Sequence, residues 1–337
     1  MRTDCESSAQ LWITGVLSYG RARSPYSVMF VLDRLHLLGA QLDASADLLL
    51  SGDSQEAIFT AVRSLADMRA SGTNGEWVGS VIPFARAHRF ASIVDHDPIT
   101  ERSISRPRGY PGDAVLMDLI YGHEDVAWML ERTDALGRAV YNFTWNVSAC
   151  VAVRERRKLL ARQIDATAQA RSNAAKVFCL ACGHLRELEL SAAFAAGQVA
   201  VLGADQDAAA LATATRQGVA TRQLSASTLI RHHQSLGTFD LVYAAGLFDY
   251  LSRRLSIALA KALFAMTAPG GRLIIPNFLS SIWETPYLEA FMDWPLIYRT
   301  QSEIEEFASD IDPTGIDEQR FSTDATGHIG YLTVTKR

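Results

Sequence analysis

The sequence predicts an α/β protein in which a mostly parallel sheet with helices on both faces follows a helical domain. Residues 1 to about 170 carry apolar residues at helical spacing. After about residue 174, short apolar runs alternate with helical segments, the pattern of strands joined by crossover helices. The tail differs again. Asp317–Ser322 and His328–Thr335 are both strand-like and flank Asp324-Ala325-Thr326-Gly327, turn chemistry that predicts an antiparallel hairpin closing the sheet. The expected domains are 1–170, helical, and 171–337, built on the sheet.

Bulk composition narrows the class. The 337 residues are 48% hydrophobic and 20% charged, with no apolar tract long enough to cross a bilayer, so a soluble globular protein is expected. A net charge of -5 provides no basic footprint for nucleic acid. MRTDCESSAQLW carries acids early and lacks the basic start and apolar core of a signal peptide. Four cysteines do not make a disulfide framework in a chain of this length, so reduced thiols and a cytoplasmic location are expected.

Taking the helices in order, Val28, Val31, Leu32, Leu35, Leu38 and Leu42 share a face over Tyr26–Leu42, with Ser24-Pro25 as the start. Ser54 to Ala70 forms a second helix ending at Ser71-Gly72. A third begins near Gly75 and carries Trp77, Val81, Ile82, Phe84 and Ala85; Pro83 must sit in its first two turns or bend it. Thr133 to about Ala170 makes one or two helices, with a charged stretch at Arg154–Lys158. Trp128, Tyr141 and Trp145 are expected in the core. Between these elements, Asp97-Pro98-Ile99-Thr100-Glu101-Arg102 and Arg106-Pro107-Arg108-Gly109-Tyr110-Pro111-Gly112-Asp113 predict a shaped loop. It gathers Arg106, Arg108, Tyr110 and Asp113 where a ligand can reach them.

The predicted strands are Lys176–Ala181, Val199–Ala204, a short Ala220–Leu224, Phe239–Ala245 and Arg272–Asn277. Ligands of such sheets bind beyond the carboxyl ends of the strands. The first strand ends at Ala181-Cys182-Gly183, with a helix-like Glu187–Ala196 after it. The second ends at Gly203-Ala204-Asp205, where a carboxylate can accept from the two hydroxyls of a ribose. Asp207 is expected to cap the next helix, Ala208–Thr215. A pyrophosphate site would want more glycine than Gly183-His184-Leu185 supplies. A ligand with a ribose and no phosphate fits better, and S-adenosylmethionine is such a ligand. The Cys179-Leu180-Ala181-Cys182 pair has no second Cys/His set at metal spacing, and Cys179 falls inside a strand, so buried filler is expected and no metal.

The order of these motifs resembles the class I S-adenosylmethionine-dependent methyltransferases, which implies a Rossmann-like seven-stranded methyltransferase sheet with the last strand antiparallel. Asp97-Pro98-Ile99-Thr100, Arg106–Asp113, Tyr243-Ala244-Ala245-Gly246-Leu247-Phe248-Asp249-Tyr250-Leu251 and Asp293-Trp294-Pro295-Leu296-Ile297-Tyr298-Arg299 look like the bacterial fatty-acid and hydroxy-fatty-acid carboxyl methyltransferase group. The match covers about residues 95–337. It implies that Ala181, Gly183, His184, Asp205, Gln206, Ser225, Ala226, Ala245, Gly246 and Leu247 line the cofactor. The first motif departs from the usual pattern, in which an acid opens the loop and a second glycine follows.

Methyl transfer to a carboxylate needs no general base at neutral pH, but it does need donors that orient the carboxylate. Arg108, Tyr110, Tyr298 and Arg299 are the candidates, with Trp294 and Tyr298 as wall or core. Arg299 could instead pair with Glu303. A hydroxyl or amine acceptor would want a base, for which His184, Asp249 and Asp113 are available. The expected partner is a small-molecule or lipid-like acid, and the helical domain is expected to form a lid or a homodimer surface. Open alternatives are N- or O-methylation of natural products, a non-methyl displacement on the same cofactor, and a non-catalytic binding module.

Overall fold

In the computed structural model, which describes residues 25–337, the first helix, α1 (Pro25–Ser51), runs well past the predicted Leu42. Its apolar stripe continues through Ala46 and Leu49, both buried, and stops at Gly52 with φ +103°. Asp53 then caps α2 (Ser54–Ser71), its carboxylate accepting from the Glu56 N–H. In the next stretch a π-helical turn, Trp77–Val81, precedes Ile82–Ala87. Pro83 has no N–H to return to the preceding turn, and the wider turn takes up that loss. Thr285–Ala290 packs with these helices: the Glu289 carboxylate accepts from Trp77 Nε1 at 2.6 Å and from Arg69 at 2.9 Å.

The chain divides into two units at places other than 170/171. One comprises residues up to Glu101 with Thr133–Phe143 and Thr285–Asp293; the other comprises Arg102–Arg132, Thr144–Glu284 and Trp294–Arg337. The cause lies in the last two helices of the predicted helical half. Thr133–Ala170 breaks into Ala135–Asn146 and Ser148–Ala170, and the second of these packs on the sheet through Ala149, Ala152, Val153, Leu160 and Ile164. Trp128 lies outside the core, 50% exposed with the Arg132 guanidinium over its ring, whereas Tyr141 is buried as expected.

In the second unit the strands are β1 (Ala175–Leu180), β2 (Val199–Asp205), β3 (Ala220–Gln223), β4 (Phe239–Tyr243), β5 (Thr267–Phe278), β6 (Ile316–Thr323) and β7 (Ile329–Lys336). They form one seven-stranded sheet in the order β3-β2-β1-β4-β5-β7-β6. Neighbours are parallel from β3 to β5, and β7 runs antiparallel to both β5 and β6. The sheet therefore has seven strands with the last one reversed, as expected. The closing turn is held by Asp324, whose Oδ1 accepts from the backbone N–H of His328 and Ile329. Phe178, Val242, Leu259, Leu263, Leu273 and Leu332 are all fully buried around the sheet.

The predicted loop before Asp113 is only half loop. Asp97 accepts from the N–H groups of Ile99 and Thr100 and starts the helix Pro98–Ser105, with Pro98 in the first turn where no N–H is needed. The predicted helix Glu187–Ala196 is also different. It is a 3-10 turn, Arg186–Leu190, and a four-residue helix, Ala192–Ala195, because Ser191 breaks the run and caps the second piece.

Candidate functional site

The turn after β1 keeps the shape that a glycine-rich loop would have, with fewer glycines. Ala181, Gly183 and Leu185 stand at φ +52°, +54° and +53°. Left-handed backbone costs a non-glycine residue about 1–2 kcal/mol, so strain at Ala181 and Leu185 is concentrated at this turn. Asp205, at the end of β2 and nearly buried, ties the turn down. Its Oδ2 accepts from the Gly183 N–H at 2.9 Å and its Oδ1 from the Asp207 N–H at 2.9 Å. Asp207 caps the helix Ala208–Arg216 as expected. The element that follows the turn is the short 3-10 turn Arg186–Leu190 and not a long helix, so the segment after β1 does not supply the dipole and free N–H groups that usually hold a phosphate.

The cysteines are packing groups. Cys179 lies opposite Gly203 in register, and a Cβ on Gly203 would come within 3.0 Å of both Cys182 Sγ and Leu185. Cys179 and Cys182 are buried, and burial pushes their thiols up, away from the thiolate that metals and redox exchange require.

His184 is held by partners outside the turn. Its Nδ1 lies 2.8 Å from Asp118 Oδ2, and its carbonyl accepts from Gln217. Although burial pushes the Asp118 carboxyl up, the hydrogen bonds from His184 and Arg186 hold it below its ordinary value. Asp118, His123 and Asp125 have metal-ligand spacing. The Arg186 guanidinium already donates to two of these, Asp118 and Asp125, and also to Glu189.

Residues 106–113 run along the carboxyl edge of the sheet. Asp113 pairs with Arg102 through two bonds of 2.8 and 2.7 Å and caps the helix Ala114–Tyr121, so it is not free to act as a base. Arg108 is exposed, 3.7 Å from Asp207, and Tyr110 is half-buried nearby. Burial, followed by the charges of Asp205, Asp207 and Asp113, pushes the Tyr110 phenol up. Both residues therefore sit at the β2 end, beside Asp205. At its other end, Gly112 (φ +74°) lies where a Cβ would come within 2.6 Å of the Trp294 ring and 2.8 Å of the Tyr250 hydroxyl. Trp294 Nε1 donates to that hydroxyl at 2.6 Å.

Arg299 corrects an expectation. It is 4% exposed and donates to the carbonyls of Phe248 and Leu251 and to Asn277 Oδ1, bracing the ends of β4 and β5. A buried cation committed in this way has no fork left for a ligand carboxylate. Glu303 does not pair with it and closes a capping box with Thr300. Tyr298 is half-buried, close enough to Tyr250 to act on its phenol.

Ala245, Gly246 (φ +88°) and Leu247 follow β4, all partly accessible. Ser225 ends β3's approach as the cap of Ala226–His232, with Ala226 behind it, and Gln206 is exposed after Asp205. Beyond Gly246, Asp249 is buried, its Oδ1 accepting from the Phe278 N–H at 2.7 Å. Burial pushes its carboxyl up to about 6, against the opposing pull of the Phe278 N–H, Arg156 and Arg299.

Sequence reasoning missed Arg156. It read Arg154–Lys158 as a charged stretch, yet Arg156 shares the helical face of Ala149, Ala152, Val153, Leu160 and Ile164. That spacing was the available signal. Arg156 is 5% exposed, and its two terminal nitrogens lie 3.5 Å from where a Cβ on Gly246 would be.

No family model and no curated protein matches the chain. Among solved structures, it is similar to a Bordetella parapertussis protein described as a possible exported protein, with TM-score 0.52 and 17% identity over 94% of this chain and 99% of that one. It is also similar to magnesium protoporphyrin IX methyltransferase from Synechocystis PCC 6803 with bound SAH (TM-score 0.42, 15% identity, 56% of this chain and 87% of that one). A third is an amino pentose methyltransferase of calicheamicin biosynthesis from Micromonospora echinaspora with bound SAM (TM-score 0.40, 20% identity, 56% and 95%). The first of these shares the fold over nearly the whole chain.

Proposed function

We propose that this protein is an S-adenosylmethionine-dependent methyltransferase that O-methylates a small or lipidic carboxylic acid. The observation that carries the cofactor reading is the pair formed by Asp205 and the Gly183 turn. It offers a carboxylate for a ribose and a backbone turn without a phosphate-binding helix behind it. Asp205 would hold the ribose, with Gln206, Ser225 and Ala226 on the nucleoside side and Ala181, Gly183, Ala245, Gly246 and Leu247 along the turn and the β4 end. When bound, the cofactor supplies a methyl group already activated by its sulfonium.

The chain's own residues then have to hold the acceptor and exclude water. Of the three candidate bases, Asp113 is spent on Arg102 and on a helix cap, and His184 has its Nδ1 tied to Asp118. A carboxylate acceptor, ionised without help, suits a site of this kind. Tyr110 and Arg108 orient bound ligand from the β2 side. Asp249, its carboxyl pushed up to about 6, favours a second reading in which a hydroxyl or amine acceptor is deprotonated there.

The acceptor in this reading is a small-molecule or lipid-like acid, and none of the helices in the described residues is long and apolar enough to cross a membrane. Exposed Met29, Phe30 and Leu37 on α1 support a homodimer surface, and the buried thiols of Cys179 and Cys182 fit a cytoplasmic location.

Mass spectrometry of the protein with S-adenosylmethionine and a panel of acids, amines and phenols tests the reading. A gain of one methyl group on acids alone is expected. Methylation confined to amines or phenols would replace the carboxylate reading, and methylthioadenosine in place of adenosylhomocysteine would reject methyl transfer.

A further inference from the structure

Arg156 is a nearly buried cation that makes no hydrogen bond or ion pair among the described residues. Buried charges are normally paired, because desolvating one without a partner costs several kcal/mol. Its neighbours do not supply the missing partner. Glu187 accepts from the Tyr243 hydroxyl at 2.7 Å, and Asp249 from the Phe278 N–H. Both acids feel the Arg156 charge without forming a bridge to it. Arg299 carries like charge, but its donors are turned to carbonyls and Asn277. The phenols of Tyr121, Tyr250 and Tyr331 also lie within reach of its field.

A second orphan lies in the same region. The Tyr331 hydroxyl is buried with no hydrogen-bond partner, on a residue 1% exposed. Tyr331 stands near the start of β7, close to the carboxyl end of β5. Gly246 follows the carboxyl end of β4, and the Arg156 fork faces it with no side chain between. The strand order β2-β1-β4 puts this point two strands from Asp205, about 10 Å along the edge.

We infer that Arg156, assisted by the Tyr331 hydroxyl, is the seat for a ligand carboxylate at the β4 end of the sheet. A planar fork with unspent donors matches a carboxylate through two parallel bonds. The carboxylate has two sources, both resting on the methyltransferase reading: the amino-acid end of the cofactor, or the acid acceptor. The seat itself rests on the geometry alone.

The test compares the wild type with Arg156→Met, Arg156→Lys and Tyr331→Phe. Because Arg156 is unpaired, the ligand-free Arg156→Met protein is expected to melt no lower than wild type. Calorimetry with S-adenosylhomocysteine and with methylthioadenosine, which lacks the carboxylate, distinguishes the sources. A cofactor seat weakens the first by about tenfold or more in Arg156→Met and leaves the second unchanged. An acceptor seat leaves both unchanged and raises KM for the acid found in the panel, with a smaller rise in Arg156→Lys and Tyr331→Phe.

Unchanged cofactor binding together with unchanged acid KM overturns the seat. So does a lower melting temperature of ligand-free Arg156→Met, which would make Arg156 a structural brace. If wild type binds neither nucleoside, the cofactor reading has failed, and formate is the probe. Formate must then raise the wild-type melting temperature above that in chloride at equal ionic strength and not raise that of Arg156→Met; no such difference also overturns the seat.

Discussion

The Gly183 N–H donates to the Asp205 carboxylate across 2.9 Å, joining the turn after β1 to the end of β2. This bond fixes the turn and points one lone pair of Asp205 inward. The remaining acceptor capacity of that carboxylate is what a ribose would use.

Strain at the turn is measurable. Ala181→Gly is expected to stabilise the fold by up to about 1 kcal/mol, since relief of left-handed backbone exceeds glycine's entropic cost. Gly183→Ala should lose about 1–2 kcal/mol, from φ alone, because a Cβ there meets only Ala114 at 3.4 Å. Urea melts of both variants read the two signs, and a destabilised Ala181→Gly would mean that the turn is not strained.

Gly112 is the tight point of the 106–113 segment. Gly112→Ala combines φ +74° with contacts of 2.6 Å to Trp294 and 2.8 Å to Tyr250. A loss of about 1–3 kcal/mol is expected by denaturant titration. Near-neutral behaviour would show that the segment is loosely held and cannot cover bound ligand.

How much of this was legible in the sequence depended on the range of each interaction. Alternating apolar runs and the Asp324–Gly327 turn are local, and the sheet with its reversed last strand followed from them. The positions of Asp205 and Gly183 at the ends of β2 and β1 followed from the same local runs, whereas the hydrogen bond between them did not. The fates of Arg299 and His184 were not legible, because their partners, Phe248, Asn277 and Asp118, are 22 to 66 residues away. Arg156 was hidden differently. A charged run reads as solvated surface unless its helical phase is compared with the apolar stripe.

Asp249 gives a pH signature. Its folded carboxyl is raised from 3.8 to about 6, so the native state binds the proton more tightly than the unfolded chain. The resulting stabilisation is fully present below pH ~4 and disappears as pH rises through ~6, a change of about 3 kcal/mol. Asp249→Asn stays neutral throughout. Relative to this variant, wild type should lose stability between pH 4 and 7 in denaturant melts, and parallel profiles would contradict the assignment.

Buried thiols should be inert. Cys179 and Cys182 are 1% and 7% exposed, with thiols pushed up by burial, so peptide mass spectrometry after iodoacetamide should find them unlabelled until the protein unfolds. Rapid labelling of either in the native state would restore a reactive role for the pair.

Calorimetric titration of S-adenosylmethionine into wild type and Asp205→Ala tests the cofactor reading most directly, with melting curves confirming that both are folded. Saturable binding by wild type, weakened about tenfold or more in Asp205→Ala, is the expected result for a lost pair of charge-assisted hydrogen bonds. No binding by wild type, or equal binding by the two proteins, would contradict it.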